Sequence, residues 1–243
     1  MQEEPDGKRT RKGEHARQRI LESALSLFGS RGYEETTMRE IAAAAGYSPG
    51  LTYRYFASKE ELVLGLYKNL CTDLEFFTHS LPICPLPERF HMMVTKQMEL
   101  MTPYREALSA LFGSALNTRS SVGVFSKNTE AIRFRGRETY LIVIQEAKDA
   151  PKEPQCEDLA TILYGTHLAL VLFWLIDESR GAWRSRLLLA FLRDMLKLMQ
   201  PLLWLPPIVQ ALARLAAILG PLLGDKRQTA LFSQPSDEGD PQL

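Results

Sequence analysis

Aromatic, basic and small side chains crowd the stretch between residues 36 and 62, TTMREIAAAAGYSPGLTYRYFASKEEL. Tyr53 and Arg54 are neighbours there, with Arg39 ahead of them and Lys59 behind. Tyrosine, arginine and lysine side chains donate hydrogen bonds to phosphate oxygens and to the edges of bases. This set of residues is suited to binding nucleic acid rather than to catalysis.

The first of two short predicted helices lies at the start of this stretch. Thr37 precedes Glu40 by three residues, which is the spacing of a capping box, so we expect a helix to begin at Met38. Gly46 can adopt the left-handed conformation that ends a helix.

The second short helix is predicted over Pro49–Phe56, because Ser48 is a good N-cap and proline is a good first helical residue. Ser58 and Glu61 form another capping box, which starts a third helix at Lys59. Two short helices around a turn are the layout of a helix-turn-helix, whose second helix enters the major groove of DNA.

A longer helix ahead of this pair is predicted from apolar residues at helical spacing, with Gly29 and Gly32 as stop signals. Its apolar stripe consists of Ile20, Leu21, Ala24, Leu25 and Phe28. The N-terminal region is therefore predicted to be a small three-helix unit.

The spacing also predicts which side of the second short helix faces DNA. Thr52 and Phe56 are four residues apart and should face inward together. Gly50, Tyr53 and Arg54 then point outward, and glycine permits a close approach of the groove wall.

Two basic residues lie in the first turns of their helices, where the helix dipole disfavours cations. These are Arg39 and Lys59. A bound phosphate would offset that cost, because helix N-termini bind anions. For either residue alone an ordinary solvated side chain is the favoured interpretation, whereas the whole set at this spacing favours a DNA-binding surface.

Residues 20–62 resemble the DNA-binding domain of the tetracycline-repressor-like (TetR) family of bacterial regulators. The matching pieces are a helix ending in LF, then RGY, T-x-x-E-I-A, A-G, Y-x-Y-F and S-K-E. The resemblance implies an all-α fold: an N-terminal three-helix helix-turn-helix DNA-binding domain followed by a C-terminal helical ligand-binding and dimerisation domain. It covers about the first quarter of the chain.

The resemblance also implies which side chains contact DNA. Thr37, Tyr55 and Lys59 would bind phosphates, while Tyr53 and Arg54 would approach bases or phosphates. The full set is Thr37, Arg39, Ser48, Pro49, Gly50, Leu51, Tyr53, Arg54, Tyr55 and Lys59. One departure from the family pattern is Thr52, where an aliphatic residue is more usual.

Positive charge is concentrated near the N-terminus and is balanced over the whole chain. The 243 residues contain 29 basic and 29 acidic side chains, so the formal net charge is zero. The stretch KRTRKGEHARQR, residues 8–19, carries six basic residues and one acidic residue. It is either a flexible basic arm (residues 1–15) that contacts DNA or a solubilising tail followed by a solvated helix start.

No catalytic or metal-binding motif is found. The sequence lacks G-x-S-x-G, P-loop, G-x-G-x-x-G and H-E-x-x-H patterns, so we predict that it is not an enzyme and has no cofactor. Three scattered cysteines without a C-x-x-C pair and a charged N-terminus without a signal-peptide core favour the cytoplasm. The histidines are dispersed, and only His167 lies on an apolar helix, as a core residue or a pocket residue.

The rest of the chain is predicted to be helical. Prolines and polar loops divide it into helices over Lys59–His79, Phe90–Met101, Pro103–Leu116, Asn128–Ala147, Glu157–Asp177 and Trp183–Leu203. The last two are rich in leucine. Their residues alone leave open whether they form a monomer core or a dimer interface, and the family resemblance implies the dimer.

The C-terminal segment from Leu202 to Leu223 is apolar, with Arg214 as its one charge. Prolines and glycines near its ends restrict the predicted helix to Ile208–Leu219, too short to span a membrane. It is interpreted as an extra helix packed on the protein, with contact to a membrane or protein partner as the alternative. Residues 225–243 are predicted to be a disordered tail.

The predicted domains are thus a helix-turn-helix domain over residues 16–62 and a ligand-binding and dimerisation domain over residues 63–224. The resemblance implies a homodimeric regulator, a repressor released by a small-molecule effector from a near-palindromic double-stranded DNA operator. Six aromatic residues could line the effector pocket, but aromatic residues on helices are core by default. They are Phe112, Phe125, Phe134, Tyr140, Tyr164 and Trp174.

Overall fold

The computed structural model describes residues 11–116, 123, 125–153 and 155–225. Within these ranges the chain is all-α, as predicted, and short 3-10 turns join several helices. The described residues form ten α-helices: α1 (Arg11–Arg31), α2 (Met38–Ala45), α3 (Pro49–Tyr55), α4 (Lys59–Thr78), α5 (Leu86–Met101), α6 (Arg105–Leu116), α7 (Glu130–Gln145), α8 (Gln155–Ile176), α9 (Trp183–Met199) and α10 (Pro206–Leu223).

The chain divides into two compact units, and the division falls within α4. The first unit comprises residues 1–70 and 101–126. In its described part, α1 packs against α2 and α6, and α2 packs against α3. The predicted apolar stripe of α1 is buried, with Ile20, Ala24 and Phe28 fully enclosed.

The α1 helix is longer than the sequence predicts. It is already helical at Arg11, so residues 11–15 are not part of a flexible arm, because most of them are good helix formers and Glu14 lies favourably in the first turn. Residues 8–10 of the predicted arm lie outside the described ranges. Gly29 does not end the helix, which continues to Arg31, and Gly32, with φ +93°, follows as the stop.

Gly29 has a packing role instead. A Cβ atom at Gly29 would lie 2.9 Å from the Cβ of Glu106 on α6, so only glycine allows the two helices to approach this closely. The α6 helix therefore belongs to the first unit, whereas the sequence placed residues 63–224 together in one C-terminal domain. The predicted loop over residues 117–123 lies almost entirely outside the described ranges, as does the side chain of Phe112.

The second unit comprises residues 71–100 and 127–243, of which residues up to 225 are described. In it α8 is central and packs against α7, α9 and α10. The enclosed apolar side chains come mainly from α5, α7 and α8, and include Phe90, Met93, Val94, Tyr140, Val143, Ile144, Leu159 and Ala160. The near-continuous apolarity that the sequence shows in α8 is explained by these neighbours on several sides.

The α10 helix departs most from the prediction. Pro206 and Pro207 occupy its first turn, where a missing N–H costs nothing, and the helix runs through Gly220 and Pro221 to Leu223. The helix ends at Gly224, with φ +88°. Both α8 and α10 are long and apolar enough to cross a membrane, which is weak evidence because core helices also meet that description.

The first residue of the predicted disordered tail is in fact ordered. Asp225 is buried and its carboxylate lies 3.4 Å from the guanidinium of Arg137 on α7 and 3.4 Å from the hydroxyl of Thr161 on α8. Arg137 also bonds to the carboxylates of Glu138 and Glu157. The end of α10 is therefore held by a buried ionic network, and residues 226–243 of the predicted tail lie outside the described ranges.

Candidate nucleic-acid interface

The predicted capping box at the start of α2 is present. The backbone N–H of Glu40 donates to Oγ1 of Thr37 over 3.3 Å, and Oε2 of Glu40 accepts from the N–H of Thr37 over 2.8 Å. The Thr37 hydroxyl also donates to Oε2 of Glu40, over 2.9 Å. The hydrogen bonds from the N–H and the hydroxyl of Thr37, followed by the charge of Arg31, hold the pKa of Glu40 below its ordinary value. Gly46 then ends α2 with φ +76°.

The start of α3 also follows the prediction. Ser48 is its N-cap, since its Oγ accepts from the N–H of Leu51 over 3.2 Å, and Pro49 is the first helical residue. The tight turn between Gly46 and Ser48 therefore has local causes on both sides: a glycine that accepts a positive φ and a serine that satisfies a free N–H.

The inner side of α3 is formed by Thr52 and Phe56, both buried as predicted. The Thr52 hydroxyl donates to the carbonyl of Ser48 over 3.2 Å, which satisfies this polar group next to apolar neighbours. A threonine is therefore accommodated at a position where the family pattern favours an aliphatic residue.

The predicted DNA-contacting side chains belong to α2, α3, their N-caps and the start of α4, and most of them are exposed. We call this set the reading face. Tyr53 is 49% exposed, and no atom lies within 4 Å of a Cβ built on Gly50. The exposed members are Thr37, Arg39, Ser48, Pro49, Gly50, Tyr53 and Arg54, and the half-buried members are Leu51, Tyr55 and Lys59.

Lys59 is engaged within the protein, which sequence reasoning missed. Its ammonium donates to the carbonyl oxygens of Tyr33 (2.7 Å) and Glu34 (3.2 Å) and lies 4.5 Å from the centre of the Tyr33 ring. A lysine ammonium has three N–H groups, so one donor is left for a phosphate. The sequence feature that could have indicated this contact is the RGY motif, whose aromatic residue is Tyr33.

A second basic residue supports the pair from α1. The guanidinium of Arg17 lies 4.8 Å from the centre of the Phe56 ring, a cation–π contact at the end of α3. Arg17 belongs to the basic stretch whose role the sequence left open, while Arg11, Lys12 and Arg19 remain exposed. The basic stretch therefore has both a structural member and solvent-exposed charges.

The comparisons with known proteins agree with this geometry. Residues 20–66 match the sequence model of the bacterial regulatory proteins of the tetR family. The HTH-type transcriptional regulator TcmR of Streptomyces glaucescens is 45% identical over 58 residues. That match covers 24% of this chain and 26% of TcmR, so the chain matches only about a quarter of that relative's length.

Solved structures share the fold over a longer range. A TetR-family regulator from Syntrophomonas wolfei has a TM-score of 0.62 and 21% identity, covering 75% of this chain and 95% of the other. Thermus thermophilus FadR, described in complex with lauroyl-CoA, has a TM-score of 0.54 and 21% identity, covering 73% and 92%. Residues 20–66 therefore have the helix-turn-helix sequence of the tetR family of bacterial regulatory proteins, and the all-helical fold of the chain is similar to that of solved TetR-family regulators.

Proposed function

We propose that this protein is a sequence-specific DNA-binding transcriptional regulator. The observation that carries the proposal is the reading face, where a capped helix of seven residues presents Gly50, Tyr53 and Arg54 to solvent on a rigid support. The name of TcmR as a transcriptional regulator supports a regulator rather than an enzyme.

The reading face suggests a division of roles. The α3 helix enters the major groove, where Tyr53 and Arg54 contact base edges and neighbouring phosphates. Thr37 and Ser48 lie at helix N-termini, where phosphates are attracted by free N–H groups and the helix dipole. Arg39 and the third N–H of Lys59 add charge to the phosphate contacts, which fix the register of the helix on the duplex.

An exposed apolar stripe on α9 supports the homodimer. The helix turns Ser185 and Leu189 into the second unit and leaves large apolar side chains in solvent, among them Phe191 at 58% exposure. The stripe consists of Trp183, Leu187, Phe191, Met195 and Leu198. Leu188 and Leu192 of the same helix are half-buried and lie outside this stripe.

A contiguous apolar surface of this kind is typical of a protein–protein interface. Pairing of two copies through α9 would give two reading helices. Binding on one side of a near-palindromic operator requires these helices to lie about 34 Å apart, one turn of DNA. The proposed regulator is a cytoplasmic repressor.

Release from DNA is proposed to follow effector binding in the second unit. The description of FadR with lauroyl-CoA shows that one protein with this fold is known with a small molecule. An effector can shift the dimer away from the DNA-binding spacing only by its difference in affinity for the two states.

Selection of duplexes from a random library by the purified full chain tests the proposal. We expect enrichment of a palindromic site, and we expect Tyr53→Ala to weaken binding to that site far more than binding to random DNA. Lys127→Ala, which removes an exposed cation outside the reading face, is the matched control. It should change neither the affinity for the selected site nor the affinity for random DNA. A protein that enriches no site, even after denaturation and refolding to strip any bound ligand, is not a sequence-specific regulator.

The exposed side of α10 supports a second candidate role at a membrane surface. Leu215, Ile218 and Leu222 lie on one side of the helix, and Ile218 is 67% exposed. Flotation of the full chain with anionic and neutral lipid vesicles tests this role, and Ile218→Glu should abolish any binding. Absence of flotation with both kinds of vesicle would exclude it.

A further inference from the structure

A cluster of polar and aromatic side chains is enclosed in the second unit. It is formed by Gln97 on α5, Tyr140 on α7, and Tyr164 and His167 on α8. Nε2 of Gln97 lies 3.1 Å from Nε2 of His167, and the ring centres of Tyr140 and His167 are 5.5 Å apart. Tyr140 and His167 are only 1% and 4% exposed.

Three buried polar atoms of this cluster have no hydrogen-bond partner in the described chain. They are Oε1 of Gln97, Oη of Tyr140 and Nδ1 of His167. Most buried polar atoms in folded proteins are paired, because an unmade hydrogen bond leaves the cost of desolvation unbalanced. Three such atoms, on residues of three helices that are in contact with one another, leave hydrogen bonds open to a partner that is not part of the protein.

The protonation state of His167 determines which hydrogen-bond donors and acceptors that partner must have. Burial lowers the pKa of His167 to about 3, so the ring is neutral at physiological pH and carries one N–H. When the Gln97 amide donates to Nε2, that N–H lies on Nδ1. The unpaired atoms are then two donors, Tyr140 and His167, and one acceptor, Gln97. Turning the amide by 180° exchanges donor and acceptor between Gln97 and His167 and leaves both kinds present.

We propose that Gln97, Tyr140 and His167 form the polar contacts of the effector site, and that the effector is a neutral molecule with a flat apolar body and a hydroxyl group. A hydroxyl both accepts and donates, so it can receive a hydrogen bond from Tyr140 or His167 and give one to Gln97. The role of this ligand as an effector rests on the proposed function, whereas its binding to the site does not depend on DNA.

The walls of the cluster match the apolar body. The rings of Tyr164 and His167 are stacked at 5.9 Å with an angle of 14° between their planes, and Phe90 lies 6.2 Å from Tyr140. Flat aromatic surfaces are suited to a flat ligand. The charge of Arg133 interacts with Tyr164, so an anionic ligand is the alternative that the experiment must exclude.

Calorimetric titration of the full chain with three probes of one shape tests the proposal. The probes are 4-ethylphenol, ethylbenzene and 4-ethylbenzoate. We expect 4-ethylphenol to bind at least tenfold more tightly than the other two, because a site built to hydrogen-bond a hydroxyl rejects the analogue without it. Tyr140→Phe, which removes a single hydroxyl, should reduce this preference several-fold, and Gln97→Leu should do the same.

Tyr104→Phe is the matched control, since it removes a tyrosine hydroxyl in the first unit and should leave the preference intact. Circular dichroism of each variant establishes that it is folded. The proposal is wrong if 4-ethylphenol does not bind, which is the result expected when the polar atoms bind only water. It is also wrong if ethylbenzene binds as tightly as 4-ethylphenol, or if 4-ethylbenzoate binds most tightly. Finally, it is wrong if the folded Tyr140→Phe and Gln97→Leu variants keep the full preference for 4-ethylphenol.

The proposed DNA binding and the proposed ligand site are tested by independent experiments. Calorimetry contains no DNA, and the duplex selection uses protein without added probe. A chain that selects an operator but ignores 4-ethylphenol is a regulator with a different effector site, whereas one that binds 4-ethylphenol but no DNA has the binding site without the proposed function.

Discussion

The two units differ in how far along the chain their polar interactions reach. In the first unit, Thr37 and Glu40 are three residues apart and satisfy each other. In the second, Arg137 reaches Asp225 across 88 residues, and Gln97 reaches His167 across 70. The helix starts of the first unit are therefore fixed by residues close together in sequence. The polar interactions inside the second unit form only after its helices have packed.

The largest expected effect comes from breaking the long-range network of the second unit. Arg137→Ala removes the guanidinium that lies 3.4 Å from the buried Asp225 carboxylate, and removing one partner of a buried ion pair costs about 3–5 kcal/mol. Urea denaturation of the full chain measures the loss. Arg193→Ala, in the exposed pair with Asp194, is the control at about 0–1 kcal/mol. Equal losses in both variants would show that the buried network stabilises the second unit no more than an exposed ion pair does.

Lys59 tests whether one side chain of the first unit serves both support and binding. Lys59→Ala removes two hydrogen bonds to backbone carbonyls, so we expect a loss of about 1–2 kcal/mol in the free energy of unfolding. DNA affinity should fall similarly on all sequences, and the dependence of log K on log salt should shrink by about one. An unchanged salt dependence would limit Lys59 to its structural contact with Tyr33.

The local cap of α2 is worth less than the buried network. Thr37→Ala removes the side chain that accepts from the Glu40 N–H, and we expect a loss of about 1 kcal/mol in unfolding free energy. Thr37→Ser keeps the cap and serves as the matched control. If the alanine variant is as stable as the serine variant, the first unit does not depend on its local caps.

The smallest effect concerns pH. The pKa of Glu40 is lower in the folded protein than in the unfolded chain, so its contribution to stability is present above the ordinary glutamate pKa and is lost as the pH falls through the folded value. Glu40→Gln should therefore reduce stability near pH 7 slightly and flatten its decline in acid. Thermal unfolding across pH 3–7 compares it with Glu99→Gln, which removes an exposed carboxylate of the second unit.

The features that could be predicted from the sequence are those that depend on residues close together in the chain. The starts of α2, α3 and α4 were predicted at the correct residue, because capping residues act on groups three or four positions away. The burial of Thr52 and Phe56 followed from helical spacing alone. These features required no knowledge of distant parts of the chain.

The failures involve contacts between segments that are distant in sequence. Gly29 was interpreted as a stop because nothing local shows that α6 packs against it. Asp225 was assigned to a disordered tail because its partner Arg137 lies 88 residues away. The contact of the Lys59 ammonium with the carbonyls of Tyr33 and Glu34 was missed, because backbone carbonyls are present in every residue.

Gly50 gives the reading face a capacity for evolutionary change. It is exposed, and a side chain added there would meet nothing within 4 Å inside the protein. A substitution at this position would therefore leave the packed residues of α3 in place and alter only what the helix presents outward. If the protein is the proposed regulator, single changes at Gly50 after gene duplication would let two copies diverge in the operators they recognise while both retain the same folded core.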